Sequence, residues 1–361
     1  MTSPRGFYKA IKKTRTYDVD EVSRWFHSVN PDTVERIATA METYISLNLP
    51  KAIRSKSKLA DYRTSPYVLM ATAGALQLDD LHALSKFLVD IKLYMGLETS
   101  FGKSIESVVM RQYPTDLTGA TRWAEPEEKL AEFALLKGLS NEEKSMKRVD
   151  SIWREIDAAC VDGGRRHLLT IKSGTSTIND TQVGGMFTAI RDNHREWLRA
   201  SVDNYGVDGI DVVIGLTYGT DRATNNKENQ ILQKLTTAGF AEVDRQNRPG
   251  VLSNPDGTVR VSRSIGVDYW AYVANPENPS LTQHAFLEVL LGLAVALRRA
   301  NTQADIGAAL NERLDLLGDA MKQIRFPEGD ALPSWIGREL GITELTWLAA
   351  AINAFFDDVQ N

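Results

Sequence analysis

Asp157 and Lys172 lie at either end of a short stretch, Trp153 to Gly174 (WREIDAACVDGGRRHLLTIKSG), that reads as two strands about a tight turn. A carboxylate able to hold a divalent cation, facing an ammonium able to sit beside an attacking water, is the minimum equipment for metal-assisted phosphodiester cleavage. Thr170 precedes Lys172 by two and shares its sheet face, because side chains alternate along a strand. In a two-carboxylate site an Asp or Glu would stand where Thr170 stands. Mg²⁺ takes one or two protein carboxylates and fills its octahedron with water and phosphate. Asp157 and a backbone carbonyl near Ile171 therefore need a further acid. Glu106, on an upstream helix, and Glu155, two before Asp157 on the same strand face, are the candidates. Lys172 would position or help deprotonate the water and balance the carboxylate charge. Each member alone would be an ordinary surface residue; only the pairing across the turn points to chemistry.

The elements that must position these residues follow from periodicity and punctuation. DVDEVSRWFHSV, with Asp18 as a candidate cap, and a segment from about Asp32 to Leu49 have helical spacing, and PKAIRSKSKLADYRTSP reads as a charged loop. Helical patterns resume in YVLMATAGAL and DDLHALSKFLVDIKLYMG, so the first ninety or so residues are mainly helical. ETSFGKSIESVVMRQYP carries an apolar stripe of Phe101, Ile105, Val108 and Val109, from whose edge Glu106 emerges. A charged helix begins near Pro126, a residue tolerated in a first helical turn. Strand character starts at about Ser151, and Asp162-Gly163-Gly164 supplies the hairpin turn. TINDTQVGGMFTAIRDNHREWLRASVDNYG predicts a cap and a long helix. IDVVIGLTYG predicts a strand buried on both faces. NKENQILQKLTTAG predicts a helix ending at Gly239, VDYWAYVANP a further aromatic strand, and residues 282 to 357 are mainly helical. The pattern describes an α/β core with a mixed sheet, preceded and followed by helices.

Composition narrows the function classes. The 361 residues include 43% hydrophobic and 25% charged residues, ordinary for a globular protein with a sizeable core. The net charge of −5 argues against non-specific coating of nucleic acid, but it is unevenly spread. Residues 1 to 63 carry twelve Lys and Arg against seven Asp and Glu, whereas residues 301 to 361 carry four against ten. A local basic field can steer a polyanion although the whole chain is acidic. The one cysteine, Cys160, excludes an intramolecular disulfide framework and fits a reducing, cytoplasmic setting. The opening residues lack the apolar core of a secretory signal, and the longest apolar runs are too short to span a bilayer, so no membrane partner is expected. P-loop, HExxH and CxxC patterns are absent. The five histidines are scattered and read as solvated or satisfied residues.

With these residues in view, the chain resembles the PD-(D/E)XK type II restriction endonucleases, and within them the Eco-O type subfamily that cuts an interrupted GG-N-CC core. Four stretches carry the resemblance: TSFGKSIE at 99 to 106, EIDAACVDGGRRHLLTIKSGTSTIN at 155 to 179, VVIGLTYG at 212 to 219, and DYWAYVANPENPSLTQHAFLEVL at 268 to 290. The departures are Ile156 where the motif has Pro, and Thr170 where it has an acid. The resemblance implies metal binding by Asp157, a catalytic role for Lys172 and an auxiliary acid at Glu106. It places a restriction-endonuclease-like core over 96–300, a helical region for DNA binding or dimerisation over 1–95, and a helical C-terminal region over 301–361.

The expectation is a homodimeric, Mg²⁺-dependent endonuclease that cuts double-stranded DNA at a short palindromic or interrupted palindromic site, paired with a cognate DNA methyltransferase. A two-fold dimer would match the repeated groove of a palindrome. Base reading would come from stretches such as TDRATNNKENQ at 220 to 230 and DRQNRPG at 244 to 250. Two other classes stay open: a structure-directed or repair nuclease on the same core, and a catalytically silent DNA-binding protein.

Overall fold

The computed structural model describes residues 19–54, 66–78, 80–114, 119–172, 174, 178–220, 225–244, 248–300 and 333–348, with isolated positions between 308 and 319. The basic opening segment, most of the charged loop at 50–66 and parts of both Asn- and Arg-rich stretches lie outside the described residues. The chain divides into two compact units. One holds the described residues of Met1–Met41 and Gly102–Ala296, the other those of Glu42–Phe101 and Leu297–Asn361. No described helix is long and apolar enough to cross a membrane.

The first unit is built on a six-stranded sheet in the order β1-β2-β3-β6-β5-β4. These are β1 Ala158–Asp162, β2 Arg165–Lys172, β3 Gly209–Leu216, β4 Ala241–Asp244, β5 Arg248–Ser253 and β6 Val259–Ile265. The central β2, β3 and β6 run parallel, while β1 and the β4–β5 hairpin are antiparallel to their neighbours. The sheet is thus mixed and the class α/β, as expected. β2 and β3 are joined through helix α7 (Asp180–Tyr205), and α8 (Lys227–Thr237) follows β3. Buried residues of α7 and α8 pack on Leu168, Ile210, Val212, Ile214 and Leu216, the alternate residues of β2 and β3, to form the main core. Nearly continuous burial along β2 and β3 is what a sheet covered on both faces requires. The Asn179–Gln182 capping box starts α7, and Gly206, at φ 63°, ends it.

The outer edge of β1 is covered. Ala124 and Ala159 exchange backbone hydrogen bonds of 3.0 and 2.7 Å. Thr121 completes the seal: its amide donates to Val161 O at 2.8 Å, and its Oγ1 accepts from Val161 N at 2.8 Å. The covering segment leads into α5 (Glu127–Ala134), with Pro126 as its N-cap, and then into α6 (Asn141–Asp150), opened by a Ser140–Glu143 capping box. Before the sheet come α1 (Val19–Ser28), α2 (Pro31–Arg54), α3 (Pro66–Leu76) and α4 (Leu81–Ser104). In the second unit, Leu69, Ala73, Leu84, Leu88 and Val89 form a separate core with Trp347 packed against it.

Two local expectations are corrected. Val267–Ala274 is a helix, α9, rather than an aromatic strand. Gly266, at φ 57° and ψ −113°, turns the chain out of β6, and Tyr269, Trp270, Val273 and Ala274 then fall on one buried stripe at helical spacing. Strand structure begins at Ala158 rather than near Ser151. Residues 151–156 form turns, with Arg154 N on Ser151 O at 3.2 Å and Ile156 N on Trp153 O at 3.0 Å. Trp153 and Ile156 are buried in the main core and stay out of the ladder. α10 (Ala285–Arg299) follows, as the helical pattern after residue 282 implies.

Candidate active site

Asp157 occupies the junction between the buried turn and β1. Its amide donates to Leu169 O at 2.8 Å, and its Oδ2 accepts from Ile171 N at 2.7 Å. The carboxylate is thereby locked across the hairpin at the level of Thr170, with Lys172 one residue beyond Ile171. This is the end of the sheet where the parallel strands β2, β3 and β6 finish, the end at which open α/β sheets bind ligands. Burial raises the Asp157 pKa. The Lys172 ammonium, the Ile171 N–H and the Lys129 ammonium oppose that rise, and Glu155 adds to it. Lys172 acts on Asp157 across space, with no ion pair of 4 Å or less between them, and it is not among the residues that line the pocket at Asp157.

The pocket into which Asp157 opens lies at the edge of β1 and encloses about 360 Å³. Its walls include Trp123, Glu125, Lys129, Asp157, Lys103 and Arg111. Lys129, on α5, is almost fully buried: its ammonium donates to Ile156 O at 2.8 Å and lies 3.6 Å from the Glu125 carboxylate. Glu125 is the residue after Ala124, so the same backbone bridge that seals the edge of β1 fixes where this carboxylate emerges. Neither Glu125 nor Lys129 is picked out by the sequence, because their relation to Asp157 is created by the Ala124–Ala159 bridge. The charged helix beginning near Pro126 was the one available signal.

The other expected residues are distributed as follows. Ile171 is buried and contributes its N–H to Asp157. Thr170 is 1% exposed on β2 and does not line the pocket, and its Oγ1 has no hydrogen-bond partner. Glu155 pairs with Arg154 at 3.5 Å and acts on Asp157 electrostatically without lining the pocket. Glu106 falls in a π-helical turn, Ile105–Val109, that follows α4; its side chain lies outside the described part. The neighbouring Ser107 and Arg111 do line the pocket, so the segment bearing Glu106 forms one of its walls.

Among the described residues, no three His, Cys, Asp or Glu side chains converge as a ready metal cage. Mg²⁺ does not need one: two carboxylates in a wet pocket, with waters and substrate oxygens, make its usual set. Asp157, with Oδ1 left over from the hairpin hydrogen bond, and Glu125 across the pocket are hard oxygen donors of that kind.

Several other titratable groups of the unit are buried in structural contacts. Arg166 is buried, makes two hydrogen bonds of 2.8 and 2.7 Å to Glu128, and stacks 4.2 Å from the Tyr205 ring. Burial raises the Glu128 pKa, but the Arg166 hydrogen bonds and charge outweigh it and leave the pKa lowered. Tyr272, whose pKa burial pushes well up, donates to His167 Nδ1 at 2.6 Å, and burial lowers the His167 pKa. Cys160 is buried, with its thiol pKa pushed well up by desolvation. Compared with known proteins, the chain matches no family model and no curated protein.

Proposed function

We propose that the chain is a Mg²⁺-dependent endonuclease that hydrolyses phosphodiesters of double-stranded DNA in the manner of the type II restriction enzymes it resembles. The observation that carries this reading is the setting of Asp157. It is a carboxylate locked by the Ile171 amide at the carboxyl end of the parallel strands, under the field of Lys172 and opening into a pocket with Glu125 and Lys129. Asp157 and Glu125 would hold the ion; when bound, it polarises the phosphoryl oxygens and the attacking water. Lys172 offers an ammonium that orients the water and stabilises the charge developing on the phosphate as the new P–O bond forms and the bond to the leaving oxygen breaks. Lys129 holds the Ile156 carbonyl and keeps Glu125 turned toward the pocket. Lys103 and Arg111 present cations to the phosphates on either side. Site-specific cutting of a palindrome would require two such sites in a homodimer, and a cognate methyltransferase would protect the host DNA.

A second reading, a catalytically silent DNA-binding protein, has one observation in its favour: Thr170 is a buried hydroxyl at the motif's second acidic position. Incubation of supercoiled plasmid with the protein and Mg²⁺ separates the readings. Discrete fragments support restriction, structure-dependent nicks a repair-type nuclease, and intact DNA the silent protein. Lys172→Ala is expected to abolish cleavage while preserving specific binding. A fully active variant overturns the site.

A further inference from the structure

A second concavity adjoins the Asp157 pocket, and its lining differs sharply in charge. It lies between α5 and α6, encloses about 690 Å³, and is lined by Lys129, Lys144, Arg148 and Arg154 around the ring of Phe133. No acidic residue is among its lining. Lys129 lines both pockets, so the two lie side by side. The Arg148 guanidinium lies 5.2 Å and the Lys129 ammonium 5.9 Å from the Phe133 ring centroid, so the aromatic face is part of the cationic wall. Among the described residues, neither Lys144 nor Arg148 has a carboxylate within 4 Å, whereas the other basic residues of the pocket do interact with acids: Lys129 with Glu125 at 3.6 Å and Arg154 with Glu155 at 3.5 Å.

Four cations gathered in a hollow repel one another, and among the described residues no carboxylate lies within 4 Å of two of them. An anion with spaced charges resolves that repulsion. We propose that the α5–α6 cleft is a binding site for the phosphodiester backbone of nucleic acid, holding phosphates beyond the one seated at Asp157. The choice of nucleic acid over another polyanion rests on the phosphodiester reading of the Asp157 pocket, with which the cleft shares Lys129. On this proposal a backbone held at Asp157 would continue past Lys129, which lines both pockets, toward Lys144 and Arg148. Contacts of this kind position the duplex without reading its sequence and make affinity fall with salt.

The test measures binding without cleavage. A short labelled DNA duplex is titrated in EDTA over a range of salt with the full chain, with Lys144→Ala/Arg148→Ala, and with Lys137→Ala/Lys147→Ala. The last pair removes the same charge from the α5–α6 region outside the cleft. Unchanged thermal midpoints establish that both variants fold. The cleft variant is expected to bind about ten-fold more weakly at moderate salt and to lose about two from the slope of log affinity against log salt, while the control pair changes little. Equal weakening in both variants, no weakening in the cleft variant, or no binding by the parent chain overturns the cleft assignment. Displacement of the duplex by heparin at equal charge concentration, with no preference for DNA, also overturns it in favour of a general polyanion site. Cleavage that depends on Asp157 but is untouched by the cleft substitutions leaves the nuclease reading standing alone. Cleft-dependent binding without cleavage does the reverse.

Discussion

Asp157 is held between two opposing demands. Desolvation favours its neutral acid, while the Ile171 N–H and the Lys172 ammonium favour the carboxylate that a cation requires. Desolvation prevails, so the folded-state pKa is raised above the unfolded one. Stability from this group is therefore greatest at pH values below the unfolded pKa and is lost as pH rises through the folded one. Asp157→Asn, which keeps an acceptor for Ile171 N, is expected to melt a few degrees higher than the parent at neutral pH. The two melting points should converge in acid, as differential scanning calorimetry across pH would register. Equal midpoints at every pH contradict the raised pKa. His167 works in the opposite sense, since burial lowers its pKa. The stability that comes from keeping it neutral is present above its unfolded pKa and lost as pH falls toward the folded one, so acid unfolding of the parent should begin earlier than that of His167→Gln. Cys160, buried with a raised pKa, should resist thiol reagents in the native protein and react only on unfolding, which a timed labelling assay follows.

At the level of elements, the hairpin owes its rigidity to what lies beneath it. Arg166, on the α7 face of β2, is neutralised by Glu128 of α5 and sandwiched near Trp153 and Tyr205. It ties the strand carrying Thr170 and Lys172 to the helix carrying Lys129. Arg166→Met, leaving Glu128 without its cationic partner and with the Asn204 amide as a remaining side-chain donor, is expected to cost about 3 kcal/mol in chemical denaturation. Gly266→Ala should cost about 2 kcal/mol, because φ is positive there and a Cβ would run into the Gly219 carbonyl. The hairpin, its Gly163–Gly164 turn, α7 and β3 were legible in the sequence because each combines strong periodicity with a marked cap or turn. α9 was not, since Tyr, Trp and Val favour strands by propensity and only the Gly266 break and the burial stripe reveal the helix. β4, β5 and β6 are hidden in the sequence; the most regular of them, β6, alternates in VRVSRSI, with Val259, Val261 and Ile265 buried. Its polar residues outnumber its apolar ones, which hides so short a strand. Asp157 and Lys172 could be named because a hairpin relates them locally. Glu125 could not, because a one-residue bridge between distant segments brings it to the site.

For the whole molecule, if this acidic chain acts on a polyanion, its positive charge must gather where the substrate runs. The cations around the two adjoining pockets would serve that purpose while the net charge stays at −5. If the protein cuts palindromes as a pair, sedimentation should give twice the chain mass on a duplex carrying one site, and a stable monomer on cleaved DNA contradicts the paired arrangement. The seal along β1 bears on how such a pair can form. The amides and carbonyls of Ala159 and Val161 that face away from the sheet are taken by Thr121 and Ala124 of the same chain. No foreign strand can be added there without first stripping that segment away, and stripping it would carry Glu125 off the site. Any pairing of copies would therefore use another surface, and the border that could have seeded fibrous stacking is tied to the candidate site.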